Sequence, residues 1–296
     1  MKRIFYGNIT YACNNSCRQC ISHSVKEGCS SVLSINDFRS AAECYQVNKD
    51  DIWNINGGEP TLSPVFNEII NFCYELSPHI IVYSNGRNLG NVPLSIIDKI
   101  ERIIVPLYGA SGFHDDYVNC SGAFSQTLNS LAKLIYYDNN LIELKLLLNE
   151  DGAIEELQKT DSWSLLFRNT HFSVTRVLSG YDDNTVCSDK VAHLAELLID
   201  KLVKAGKEVR FYDIPFCMFS LEFQHRIESI YRATEIYDPY VIHILPNKGS
   251  RIEYYAQETD IKKECARCKH HCFCTMVMRN YFCPQVNSDE CTRVTE

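Results

Sequence analysis

The sequence has no apolar run approaching the ~20 residues that cross a bilayer. It has no block of five like charges, no low-complexity tract and no close internal repeat. An export signal is missing too. The N-terminal stretch MKRIFYGNITYACNN carries two basic residues, but Gly7 and Asn8 interrupt its apolar part too early for a secretory segment. Basic residues are in the minority, 29 Lys and Arg against 37 Asp and Glu, for a formal net charge of -8. These shortages exclude a membrane helix and a secreted form, and they argue against nucleic acid, which calls for a basic face. What the sequence holds in quantity is cysteine, 15 in 296 residues. A chain of this length buries a full core without disulfide staples, and an odd count does not pair off. The expectation is a cytoplasmic protein in a reducing compartment, whose clustered cysteines bind metal or do chemistry.

Along the chain, short apolar runs alternate with helix-like stretches. Strands are expected at Arg3–Thr10, Asp51–Ile55, His79–Tyr83, Arg102–Leu107, Ile142–Leu148, Phe172–Leu178 and Glu208–Tyr212. Most are near-continuous Ile, Val, Leu and Tyr, as parallel strands covered on both faces require. Helices are expected at Asn36–Val47, Pro64–Leu76, Ala123–Tyr137, Ala153–Phe167 and Lys190–Ala205. Ser63-Pro64 reads as an N-cap followed by proline at the first helical position, and Gly206 as a helix stop. Strands and helices alternating at this spacing make βαβ units, so the fold class is α/β, an incomplete (β/α)6 TIM-like barrel with its chemistry at the C-terminal ends of the strands. After Asp213 the alternation fades and cysteine density jumps. The expected organisation is a core domain over 1–213 and a small Cys-rich extension over 214–296, tied to the core by metal.

Cys13, Cys17 and Cys20 form C-x3-C-x2-C in the loop after the first strand. Three thiolates on so short a loop can hold three irons of a 4Fe-4S cubane and leave the fourth open to a ligand. The same thiolates suit zinc, for which His23 would complete a Cys3His set. The second strand runs directly into Gly57-Gly58-Glu59-Pro60, where two glycines let the backbone approach a ligand and the proline fixes the turn. An ordinary βα turn uses the same residues. The third strand ends in Ser84-Asn85-Gly86, a polar turn at the same level.

With both motifs in this order, the chain from about residue 4 to residue 213 resembles the radical S-adenosylmethionine (radical SAM) superfamily. The resemblance implies that Cys13, Cys17 and Cys20 hold a 4Fe-4S cluster whose open iron chelates SAM. It implies that Gly57, Gly58, Glu59 and Pro60 line the methionine amino group and that Ser84 and Asn85 reach the ribose. Arg176, in VTRVLSG, matches a basic position that meets the SAM carboxylate in relatives. The residue before the third cysteine is aromatic in most of the family and is Gln19 here, so the expected adenine contact rests on backbone. An external one-electron reductant of flavodoxin or ferredoxin type would feed the cluster. The released 5'-deoxyadenosyl radical would take a hydrogen atom from substrate.

In the tail, Cys265, Cys268 and Cys274 fit C-x2-C-x5-C, which resembles the auxiliary-cluster region (SPASM or twitch type) of radical SAM enzymes. Tyr281 fits that pattern. Met276 stands where it has glycine, and Met278 where a second auxiliary cluster needs cysteine. One auxiliary 4Fe-4S cluster is expected, with Cys217 closing the set, Cys272 as alternate for Cys274, and Cys283 or Cys291 as alternates for Cys217. A zinc knuckle of Cys265, Cys268, His271 and Cys274 or Cys272 is the competing reading. Lys262, Lys263, Arg267 and Lys269 around it read as solvated surface.

His114-Asp115-Asp116 and Glu150-Asp151 follow strands and read as helix caps rather than acid–base groups. Tyr108 reads as core packing. Cys44 and Cys73 read as buried small hydrophobes, and Cys29, Cys120 and Cys187 as loop thiols able to donate a hydrogen atom. The stretch VPLYGASGFHDDYVNCSGAFSQTLNSL resembles radical SAM maturases of ribosomal peptides, including the His-Xaa-Ser type. That implies a peptide substrate, although so short a stretch before Cys13 leaves no room for a leader-recognition domain there. A small-molecule dehydrogenase or epimerase acting on a sugar or aminoglycoside, and a zinc-stabilised binding protein without catalysis, are the alternatives.

Overall fold

The computed structural model describes residues 3–20, 32–135, 141–148, 171–176, 189–207, 209–212, 214, 216–230, 240–245 and 249–254. Its strands are β1 (Ile4–Asn8), β2 (Ile52–Asn56), β3 (Ile80–Tyr83), β4 (Arg102–Leu107), β5 (Ile142–Leu148), β6 (His171–Arg176), β7 (Val209–Tyr212), β8 (Tyr240–Leu245) and β9 (Gly249–Tyr254). The helices are α1 (Ile35–Tyr45), α2 (Phe66–Leu76), α3 (Leu94–Ile97), α4 (Ser111–Tyr117), α5 (Ala123–Ile135), α6 (Asp189–Lys204) and α7 (Leu221–Ile230). All seven expected strands are present, each end within two residues of the expectation. The expected helix at 153–167 lies outside the described residues.

All nine strands join one sheet in the order β7-β6-β5-β4-β3-β2-β1-β8-β9. Every neighbouring pair from β7 to β8 is parallel, and β9 returns antiparallel to β8. Sequential strands lying side by side mark barrel-type winding, and among the described residues the sheet does not close on itself, so the incomplete barrel is present. Beyond residue 213 the pattern does not fade as expected. Residues 240–245 pair in parallel with β1, Ile4 against Val241 and Gly7 against Ile244, and the extension adds two strands to the sheet.

Alternation along the strands separates two faces. Phe5, Trp53 and Ile55 are fully buried on the helix side, with Trp53 4.8 Å from Phe5 and 5.9 Å from Phe38 of α1 between ring centroids. Burying aromatics of this size contributes on the order of 2–3 kcal/mol each. Tyr6, Asn8, Asn54 and Asn56 occupy the opposite, interior face. Arg3 anchors the start of β1 to the turn before β2 through a 2.6 Å ion pair with buried Asp51. Burial pushes that carboxyl up, but the Arg3 donors and the Asn48 amide hold it below the usual carboxylate range.

Two local expectations fail for visible reasons. Ser63-Pro64 does not cap a helix. The chain first makes a 3-10 turn at Pro60–Leu62, capped by the Glu59 side chain, and the Ser63 amide closes onto the Pro60 carbonyl at 3.0 Å. Helix α2 then starts at Phe66 behind Val65, with no side-chain cap. Cys44 is exposed rather than buried, whereas Cys73 is fully buried in α2. Gly206 does stop α6. Its φ is +73°, its amide reaches Val203 O, and the Lys207 amide reaches Leu202 O.

Candidate cofactor site

Because the strands run parallel, the segments after β1, β2, β3 and β4 emerge at one end of the sheet. The first carries Cys13, Cys17 and Cys20, all half-buried. Its backbone is docked from two sides. On one side the Gly58 amide donates to Thr10 O at 2.7 Å and the Glu59 amide to Ala12 O at 2.8 Å. On the other, the Ser16 amide donates to Val118 O at 2.9 Å and the Arg18 amide to Tyr117 O at 3.0 Å, at the end of α4.

This docking explains the two glycines differently from the expectation. Gly57 has φ +148°, and a Cβ there would lie 2.3 Å from Thr10 O. On Gly58 it would lie 2.4 Å from Ala12 O. The close approach they permit is to the cysteine loop of the chain itself.

Glu59 is fully buried, and its carboxylate is surrounded by donors from the next two turns. Oε1 accepts from Thr61 Oγ1 at 2.6 Å, Ser84 Oγ at 2.8 Å and the Thr61 amide at 3.2 Å, while Oε2 accepts from the Asn85 amide at 2.7 Å. Burial pushes its pKa up by more than these donors pull it down. Glu59 thus ties the turn after β2 to the turn after β3, and Pro60 is buried beside it. Asn85, half-buried, extends the tie by donating from Nδ2 to Asn14 Oδ1 at 2.6 Å. Arg87, unnoticed in the sequence, reaches the same loop. Its Nη1 donates to Asn14 O and, at 2.8 Å, to Asn15 Oδ1, and its Nε donates to Gln126 Oε1 of α5 at 3.0 Å.

Gln19 is exposed, and its Oε1 accepts from Tyr117 OH at 3.1 Å. Tyr117 stacks on Tyr108, with ring centroids 4.0 Å apart at 14°, and Cys17 and Cys120 pack against this cluster. An aromatic pair, one ring directly after β4 and the other in α4, therefore lies beside the loop that lacks its own aromatic residue. The helix-cap reading of the acidic stretch holds for Asp115, which accepts from the Gly122 and Phe124 amides at 2.6 and 2.8 Å at the start of α5. His114 is buried. Burial, together with Arg87, brings its pKa down to about 4, against the pull of Asp115.

Burial is also the main influence on the thiols, pushing Cys13 up to about 11 and Cys17 up to about 12, with the neighbouring thiols adding to it. Among the described residues, no three His, Cys, Asp or Glu side chains gather around one point as a single metal ion requires. The Arg176 backbone ends β6 opposite Leu148, and its side chain lies outside the described residues. Cys217 is half-buried in a 3-10 turn at Phe216–Met218, shortly after β7. Cys265, Cys268, Cys272, Cys274, Cys283, Cys291, His271, His23, Cys29, Cys187, Glu150 and Asp151 lie outside the described residues. No helix among the described residues is long and apolar enough to cross a membrane.

No protein-family model matches the chain. Among curated proteins, it is 30% identical over 131 residues to the mycofactocin maturase MftC of Mycobacterium ulcerans (strain Agy99). It is 26% identical over 130 residues to the antilisterial bacteriocin subtilosin biosynthesis protein AlbA of Bacillus subtilis (strain 168). It is 25% identical over 180 residues to the sporulation killing factor maturation protein SkfB of the same organism. Two of these relatives are thus named for maturation and the third for biosynthesis of a bacteriocin. The matched segments cover 43%, 43% and 58% of this chain, and the chain spans only 34% of MftC, 29% of AlbA and 43% of SkfB. Among solved structures, Streptococcus suis SuiB bound to S-adenosylmethionine superposes with a TM-score of 0.61, covering 92% of this chain and 71% of that chain at 14% identity. The structure of anSMEcpe with bound AdoMet and Cp18Cys peptide gives 0.63, covering 95% and 91% at 12% identity. At such identities the likeness is one of fold, a partial barrel.

Proposed function

We propose that the chain is a radical SAM enzyme that modifies a ribosomally made peptide. The observation that carries this reading is homology to maturases of peptide products. When bound, a 4Fe-4S cluster and SAM supply reductive cleavage of the sulfonium and hydrogen-atom abstraction from an unactivated C–H bond. Cys13, Cys17 and Cys20 would hold the cluster. The three lie close together on the loop: Cys20 adds to the rise of the Cys13 pKa, and Cys13 and Cys20 add to that of Cys17.

The chain's own residues order the site. Gly57 and Gly58 dock the cysteine loop, and Glu59 fixes the turns after β2 and β3, where Ser84 and Asn85 would meet the SAM ribose. Gly57 to Pro60 would line the methionine amino group, and Arg176 would meet the carboxylate. Gln19, held by Tyr117, would border the adenine through its backbone. Cys217 with Cys265, Cys268 and Cys274, or Cys272 in its place, would hold one auxiliary 4Fe-4S cluster in the segment 214–296, next to a core domain over 1–213. A flavodoxin- or ferredoxin-type reductant would supply the electron.

Anaerobic reconstitution with iron and sulfide tests the reading. About eight irons per chain and 5'-deoxyadenosine formation with dithionite are expected, and joint replacement of Cys13, Cys17 and Cys20 by Ala should abolish the latter. A colourless, zinc-loaded protein that leaves SAM intact would overturn it.

A further inference from the structure

Phe124, His114, Tyr108 and Tyr117 stand in a row between α5 and the cysteine loop. Ring centroids are 5.7 Å apart from Phe124 to His114 and 6.0 Å from His114 to Tyr108. Tyr108 and Tyr117 stack at 4.0 Å and 14°. The row ends on the loop itself, where Cys17 packs against the small apolar cluster of Tyr117, Val118 and Ala123. That cluster is separate from the main core between sheet and helices.

Tyr117 is fixed there through backbone, hydroxyl and ring. Its carbonyl accepts from the Arg18 amide at 3.0 Å, its hydroxyl donates to Gln19 Oε1 at 3.1 Å, and its ring lies on Tyr108. Tyr108 is held in turn, because its amide donates to His114 Nδ1 at 3.4 Å. Burial pushes the pKa of both phenols up, and the Cys17 thiol is the next influence on each, so both rings lie beside one thiol. An apolar wall at a metal site sets how much water reaches it, and with that the local dielectric and the reduction potential. Reducing a thiolate-ligated cluster adds negative charge, which a dry wall disfavours.

We infer that Tyr117, backed by Tyr108, is a positioning residue that shields the Cys17 side of the cluster from water and holds its reduction potential down. The inference rests on the radical SAM reading and deepens it, since one-electron cleavage of a sulfonium demands a strongly reducing donor. Rings from β4's end and α4 thereby cover the loop that carries Gln19 in place of an aromatic residue.

The test uses the full chain, reconstituted anaerobically with iron and sulfide, as wild type, Tyr117→Leu and Tyr117→Phe. The midpoint potential is read by titration of the electron paramagnetic resonance signal that disappears when Cys13, Cys17 and Cys20 are jointly replaced by Ala. In Tyr117→Leu the ratio of reduced to oxidised cluster at the wild-type midpoint should rise about tenfold, a shift of about 59 mV for one electron. Tyr117→Phe keeps the ring and should keep the wild-type potential. In the metal-free chain, iodoacetamide should alkylate Cys17 faster in Tyr117→Leu than in wild type or Tyr117→Phe, as mass spectrometry of the peptides measures. Should Tyr117→Leu fail to fold by circular dichroism, Tyr117→Met serves in its place. An unmoved potential in the leucine variant, an equal shift in the phenylalanine variant, or equal alkylation of all three chains would each overturn the inference. Loss of SAM affinity with the potential unmoved would overturn it as well and assign the rings to the adenine. A chain that takes up the loop cluster and leaves SAM intact would overturn the radical SAM reading alone, since the potential is measured without turnover.

Discussion

Arg87, in the turn after β3, donates through one nitrogen to both the main-chain oxygen of Asn14 and the side-chain oxygen of Asn15, directly after the first cysteine of the loop. The same guanidinium bonds Gln126 on α5, so the loop is tied to a helix that packs elsewhere on the barrel. Charge-assisted hydrogen bonds of this kind are worth about 1.5–3 kcal/mol each. Arg87→Met should therefore leave the fold intact by circular dichroism but loosen the loop. Iron retained after reconstitution should fall, and proteolytic nicking between Cys13 and Cys20 should rise. Wild-type iron content and an unchanged digestion pattern would show that the loop holds itself.

The glycines of the turn after β2 lead to a sharper steric prediction. In Gly58→Ala the new methyl would meet Ala12 O at 2.4 Å and Tyr11 O at 2.7 Å, both backbone atoms that cannot swing aside. The turn must retreat, taking with it the two bonds from Gly58 and Glu59 to the cysteine loop. A loss of about 2–4 kcal/mol is expected from the clash and those bonds together. Urea unfolding of the metal-free chain measures it, and a midpoint equal to the wild type would refute the docking role.

These two positions also show what the sequence made legible. The strands were readable because branched and aromatic residues dominate them, as in IIVY of β3 and RIIVPL of β4. The spacing of the three cysteines and the GGEP turn marked the functional end of the sheet. The partner of the two glycines was not readable, since a close approach is visible as glycine but its object lies 47 residues away at Thr10. Helix α4 escaped notice because it starts behind Ala110 with no side-chain cap and with Ser111 at φ +45°. Strand β8, the branched run YVIHIL, lies beyond the last expected strand, and its parallel pairing with β1 is a contact only folding reveals. Arg87 gave no local signal at all, because its importance comes from the acceptors that folding brings to it.

Glu59 should behave as a cross-link whose acceptors cannot be replaced by an amide. In Glu59→Gln one oxygen becomes an NH2 group, which must face donors from Thr61, Ser84 or Asn85. Leaving buried donors opposed costs about 1–3 kcal/mol. Because the turn after β3 loses its anchor, hydrogen exchange at the Asn85 amide should accelerate. Protection equal to the wild type would mean the turns hold their places without the carboxylate.

His114 makes a pH-dependent contribution whose sign follows from its burial. It packs against Phe124 and Tyr108, and its Nδ1 accepts from the Tyr108 amide at 3.4 Å, a bond that needs the neutral ring. Its pKa falls from 6.5 to about 4 through burial and the Arg87 charge, while Asp115 opposes the fall. A histidine depressed in the folded state takes up a proton in the unfolded chain first. Its contribution is therefore complete above about pH 6.5 and is lost as the pH falls toward 4, by an amount on the order of 3 kcal/mol. His114→Phe keeps the ring packing and removes the titration. The urea midpoint of the wild type should drop more steeply between pH 7 and pH 4.5 than that of the variant. Parallel curves would mean that the imidazole accepts its proton in place, with room and a partner for the charge.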